Sequence, residues 1–186
     1  MQLEGAKIIL RKFKIEDADQ VYENVREPSD RPWAYTIKDP YLPKDAIEWI
    51  EKTHKDFGTR EAFQFAVVLK ETGEVIGGAG LHSINWDNRK AEVGYLIRKQ
   101  DRGKGYATCA VHLLLDHAFK ELQLNKIGAR MFSVNEASRK ILEKYGFTLE
   151  GTFRKERFKD GVYYDELRYG LLYSEHPHKS TRPANH

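Results

Sequence analysis

Residues 93–122 join three patterns, and no other stretch of this 186-residue chain restricts the fold as much. The apolar run VGYLI leads into RKQDRGKGYAT, where two glycines and four cations share eleven residues. Beyond it Tyr106, Cys109, Ala110, Leu113, Leu114, His117, Ala118 and Leu122 recur at three- and four-residue spacing. The order is strand, tight loop, and an amphipathic helix of about four turns. Backbone N–H groups converge at such a junction and the helix dipole adds partial positive charge, so the loop reads as an anion cradle.

The flanking segments fit one domain. AFQFAVVL, EVIGGAGLHSI and KAEVGYLI read as strands separated by the short turns KETGE and NWDNR, which predicts an antiparallel meander feeding the loop. AKIILRKF is a further strand. IEDADQVYENVRE places Ile15, Ala18, Val21, Tyr22 and Val25 on a first helix, and KDAIEWIEKTHKDF places Ala46, Trp49, Ile50 and Phe57 on a second, after Pro43. Between these helices REPSDRPWAYTIKDPYLP holds four of the six prolines, an irregular excursion expected to shape a binding surface. Downstream, NKIGARMF reads as a strand, NEASRKILEKYGF as a helix stopped by Gly146, and the residues around KDG as two more strands. The domain is expected to span 1–174, with the polar residues 175–186 a disordered tail.

Composition removes several classes of partner. The net charge of +3 arises from 31 basic and 28 acidic residues spread along the chain, so no block grips nucleic acid or an anionic membrane. A single cysteine, Cys109, excludes an internal disulfide framework, and MQLEGAKIIL lacks the parts of a secretory signal. No apolar run reaches transmembrane length, and a cytoplasmic location is expected. His112 and His117 are five apart and cannot share a helical face, so no metal is assigned.

Two nucleotide-binding signatures fail at the loop. The Walker pattern needs glycine where Arg98 stands and Ser or Thr where Gly105 stands; the dinucleotide fingerprint needs Gly or Ala at Thr108 and a parallel start. What fits is Gln-x-x-Gly-x-Gly before a helix, at Gln100, Gly103 and Gly105. Here the sequence resembles the GNAT superfamily of acetyl-CoA-dependent N-acetyltransferases, over nearly all of the chain to about Ser174. AEVGYLI, QDRGKGYAT, the Asn-x-x-Ser of Asn135 and Ser138, and YGFTLEG look most like the RimJ/RimL branch, which acetylates N-terminal amines of ribosomal proteins.

The resemblance implies an α/β acyl-CoA N-acyltransferase fold, with a mixed, mostly antiparallel central sheet split by the cofactor and flanked by helices. It implies acetyl-CoA as cosubstrate, with Leu96, Ile97 and Arg98 on the pantetheine amides and Arg102, Gly103, Lys104, Gly105, Tyr106, Ala107 and Thr108 around the pyrophosphate. Asn135 would touch the CoA arm, or act only as a helix N-cap, and Ser138 would lie near the thioester sulfur. Leu142 occupies the place where many members carry a tyrosine acid, which leaves Ser138 as the better proton donor, Tyr145 as a poorer one, and solvent as a third source.

Alternation along KAEVGYLI sends Glu92, Gly94 and Leu96 to one face, where Glu92 could accept the amine proton. Its other role is an ion pair with Arg89 or Lys90. Cys109 reads as a small buried apolar residue. Trp33, Tyr35, Tyr41 and Trp86 are acceptor-site candidates that packing explains equally well. The expected reaction is direct attack of a primary amine, such as a protein N-terminus, within a ternary complex. Acetylation of a polyamine or aminoglycoside, and a non-catalytic CoA-binding regulator, stand as alternatives; a homodimer is left open.

Overall fold

The computed structural model describes residues 1–30, 32–34 and 37–176. They form two compact units, Met1–Ile84 with Val93–Leu114, and Asn85–Glu92 with the chain from Leu115 onward.

In the first unit β1 (Gln2–Glu4), β2 (Ile8–Lys12), β3 (Phe63–Leu69) and β4 (Val75–Asn85, all but its last residue) pair antiparallel in sequence order. Leu10 faces Val67 and Phe65 faces Ala79, and the β3–β4 register slips by one residue at Val67/Val68. The second part of β5 (Lys90–Ile97) continues this unit, and the Arg98 N–H donates to Ile76 O at 2.8 Å. Helices α1 (Ala18–Val25) and α2 (Pro43–Thr59) supply Val21, Ala46 and Ile50 to a core shared with Phe13, Ala66, Val68 and Val75. Pro43 opens α2, and the Leu42 N–H donates to the Asp45 carboxylate at 2.8 Å, which satisfies one amide of the helix start.

The first helix begins later than its periodicity predicts. Asp17 accepts the Lys14 N–H at 2.8 Å and both Arg11 guanidinium NH2 groups, at 2.6 and 2.8 Å. That clamp tightens Ile15–Asp17 into a 3-10 turn and leaves Ile15 exposed. The helix after the glycine loop, α3 (Tyr106–Asp116), buries Ala110, Val111 and Leu114 completely. Its expected fourth turn is instead a π-helical turn, His117–Glu121, closed by Leu122 N–H to His117 O at 3.0 Å.

In the second unit β6 (Lys126–Phe132) runs parallel to the start of β5, with Lys90 opposite Lys126 and Glu92 opposite Gly128. β7 (Thr148–Lys159) and β8 (Val162–Leu172) form the hairpin around KDG, and β8 pairs antiparallel with β6. Asp160 and Gly161 take φ of 50° and 77°, as a two-residue hairpin turn requires. Helix α4 (Glu136–Lys144) ends at Gly146, whose φ of 80° lets Phe147 N–H return to Leu142 O. The strand pairing is thus mixed and mostly antiparallel, as expected. Past residue 174 the chain keeps structure: Glu175 closes a 3-10 turn and His176 is buried, so these two residues do not belong to a disordered tail. Residues 177–186 of that expected tail lie outside the described residues.

Candidate active site

The loop after β5 has the geometry of a cradle. Gly103 and Gly105 take φ of 75° and 84°, a region side chains rarely adopt, and a Cβ built at either would meet nothing within 4 Å. Space is therefore open on the side these glycines face. Cys109 N–H donates to Gly105 O, so α3 starts at once and the amides of its first turn point back toward the loop, as at the N-terminus of any helix. A pyrophosphate fits such a donor set. A cavity of about 380 Å³ opens at the loop's first residues, lined by Glu23, Asn24, Arg98, Lys99 and Gln100.

The loop cations are largely committed within the protein. Asp101, 5% exposed, accepts from Arg98 Nε at 2.5 Å and from Lys104 Nζ at 2.7 Å, while Arg98 also reaches Glu74 at 2.8 Å. Arg102 Nε donates to Ile97 O at 2.8 Å. Burial opposes ionisation of Asp101, but the hydrogen bonds from Lys104 and Arg98 outweigh it and hold the carboxyl below the usual range. An acid inside a basic motif thus organises it, a role the sequence reading missed.

The consequence has a sign that can be checked. Removing the charge with Asp101→Asn adds one net positive charge, which by charge counting alone should tighten anion binding. We expect the opposite, acetyl-CoA binding about tenfold weaker, because Arg98 and Lys104 lose the anchor that sets the loop. Calorimetry with acetyl-CoA at pH 7 reads the sign directly. Since the folded carboxyl titrates below its unfolded value of about 3.9, this ordering is present above that value and is lost as pH falls through the folded one.

The second unit carries Glu92, Asn135 and Ser138. Glu92 Oε2 accepts from Arg130 Nε of β6 at 2.7 Å, so its ion-pair partner is Arg130, not Arg89 or Lys90. The residue is half-buried, on the face opposite the buried Ala91 and Val93, as alternation requires. Asn135 Oδ1 accepts the Ser138 N–H at 3.2 Å, which realises the N-cap and leaves the amide nitrogen as a donor. Leu142 is 1% exposed and Tyr145 8%, so the inward face of α4 presents an aliphatic side chain where the resemblance places an acid.

Of the acceptor candidates, Trp33 is half-buried and Tyr41 packs on the first unit's core, stacked on Tyr22 at 6.5 Å. Trp86 lies at the exposed edge of the β4–β5 turn, and Tyr35 falls outside the described residues. Burial pushes the Cys109 thiol up, which agrees with a packing role. Among the described residues no group of three or more His, Cys, Asp or Glu side chains is placed to hold a metal, and no helix is long and apolar enough to cross a membrane.

Known proteins are similar to this chain in sequence and fold. A family model described as "Acetyltransferase (GNAT) domain" matches residues 7–148. The chain is 31% identical over 175 residues to "Putative ribosomal N-acetyltransferase YdaF" of Bacillus subtilis, covering 90% of this chain and 92% of that one. It is 30% identical over 147 residues to the spermidine N(1)-acetyltransferase of Vibrio cholerae, covering 79% and 83%. Its fold is similar to the crystal structure of a GNAT-family acetyltransferase from Bacillus anthracis, with TM-score 0.78, 25% identity, and coverage of 92% and 98%. The chain therefore belongs to the GNAT family of N-acetyltransferases and takes its acetyl group from acetyl-CoA.

Proposed function

We propose that this enzyme acetylates the α-amine of a protein or peptide N-terminus, by direct attack on acetyl-CoA in a ternary complex. The observation that carries the acceptor class is Leu142, a buried aliphatic residue at the helix position where the family resemblance places a tyrosine acid. With Glu92 as its one candidate carboxylate base and no tyrosine there, the site is matched to an amine that sheds its proton easily. An α-amine has a pKa of about 7.7 to 8.0 and a lysine side chain about 10.4, so near neutrality lysine must be deprotonated at a further cost of roughly 3.5 kcal/mol. The YdaF relative, named for a ribosomal substrate, supports the same branch. Glu92 receives a proton from the amine, Ser138 delivers one to the thiolate, and Asn135 donates its amide to the CoA arm.

The spermidine-acetylating relative favours a second reading, a polyamine acceptor. A competition separates the two: short peptides with free N-termini, the same peptides N-terminally blocked but carrying lysine, and spermidine. Mass spectrometry should find the acetyl group on the α-amine. Preferential modification of spermidine or of lysine side chains overturns the proposal.

A further inference from the structure

One face of the sheet in the second unit carries charges in an order that strand pairing disfavours. Glu92 of β5, Arg130 of β6, Arg168 and Glu166 of β8 and Arg157 of β7 share this face, opposite the buried Ala129, Leu167 and Tyr169. Arg130 and Arg168 stand directly across from each other, where like charges destabilise. Two carboxylates offset part of this: Arg130 Nε donates to Glu92 at 2.7 Å and Arg168 Nε to Glu166 at 2.9 Å. Glu166 is 1% exposed and also accepts from Arg157; burial opposes its ionisation, but the hydrogen bonds from Arg168 and Arg157 hold the carboxyl below the usual range. Three arginines thus face two carboxylates, and the adjoining pair of Lys126 and Glu150 is balanced. Arg168 is also held from below, with Cζ 3.7 Å from the centroid of the Phe153 ring. A buried carboxylate at one edge and an aromatic ring beneath fix the guanidinium plane. Among the described residues nothing takes the four N–H donors of its two Nη groups, and the side chain is 39% exposed.

The geometry points to Arg168 as a specificity-determining residue that takes a carboxylate of the acceptor, so that the preferred substrate is a peptide with Asp or Glu at its second or third position. The inference rests on α-amine acetylation with Glu92 at the amine, as proposed above. A guanidinium already fixed at Nε offers its two Nη groups as a fork that matches the two oxygens of a carboxylate. The spacing agrees. Glu92 and Arg168 are two strands apart with a two-residue offset, which puts their Cα atoms roughly 12 Å from each other, and Glu92 leans toward the arginine row through its bond to Arg130. An extended peptide advances about 3.3 Å per residue, so with its α-nitrogen at Glu92 a side-chain carboxylate one or two residues on comes within reach of Arg168. The charges agree as well. A bound carboxylate relieves the opposed pair of Arg130 and Arg168, whereas the positive excess works against a polycationic acceptor.

The test compares hexapeptides with free N-termini that differ only in Asp against Asn at the second or the third position, with spermidine as a further acceptor. We expect kcat/KM about tenfold higher for an Asp peptide than for its Asn counterpart, a ratio that falls to about one in Arg168→Gln and shrinks in high salt. Arg168→Lys keeps a cation beside Glu166 without the fork, and should give an intermediate ratio. The ratio separates recognition from structure, because loss of the Glu166 contact alone lowers Tm and slows both peptides alike. Equal kcat/KM for Asp and Asn peptides in the wild type overturns the inference and leaves α-amine acetylation in place. A ratio unchanged in Arg168→Gln overturns it too, and where that variant does not fold, an unchanged ratio in Arg168→Lys does so. Acetylation of spermidine and of none of the peptides overturns the α-amine reading and this inference together.

Discussion

Replacing Gly105 by valine lowers acetyl-CoA affinity about 10- to 100-fold in a chain that still folds. The magnitude comes from the backbone, not from a clash. A Cβ at Gly105 meets nothing within 4 Å, so the protein has room for a side chain. What it lacks is an allowed conformation, because φ is 84° and a β-branched residue there costs on the order of 1–3 kcal/mol. The loop is exposed and can escape this strain by changing shape, which leaves the core intact but turns the amides at the start of α3 away from their ligand. The same energy then appears as lost binding, at about 1.4 kcal/mol per tenfold. Asn tolerates positive φ better than other residues with a Cβ, so Gly105→Asn should retain more affinity than Gly105→Val. Calorimetry on both variants decides between strain and contact: equal losses would mean that any side chain blocks the ligand, and no loss in either would place the cradle elsewhere.

This loop was legible because its information is local. Gly103 and Gly105 declare their own backbone angles, and the apolar spacing on either side declares a strand and a helix. Interactions that depend on register were not. Arg130 is 38 residues from Glu92, and no periodicity in either strand says that a parallel pairing sets Glu92 opposite Gly128, two residues from Arg130. Asp101 reads as one acid among cations until Arg98 and Lys104 fold back on it. Ser83 carries no sign of its left-handed conformation, because serine gives no such signal in sequence. The three-residue β1 is too short for a period to show, and the π-turn at His117–Glu121 lies inside a stripe that reads as regular helix.

Glu92→Gln should lower kcat by about a hundredfold to ten-thousandfold while acetyl-CoA affinity stays near wild type. The substitution is informative because of Arg130. Glutamine keeps an oxygen that can accept from Arg130 Nε, so the link between β5 and β6 at 2.7 Å need not open, and what disappears is the carboxylate's capacity to take a proton. A role limited to that link predicts the reverse pattern, with little change in kcat for Glu92→Gln and a larger loss of stability for Glu92→Ala. The amine nitrogen sheds two protons during transfer, the first as the ammonium becomes a free amine and the second as the C–N bond forms. A Glu92 that takes the second leaves a deficit that should persist at high pH, where the first is lost unaided. Turnover of Glu92→Gln measured at pH 7 and pH 9.5 settles the matter. A deficit that persists at both places Glu92 in the bond-forming step, and wild-type turnover at both reduces it to the partner of Arg130.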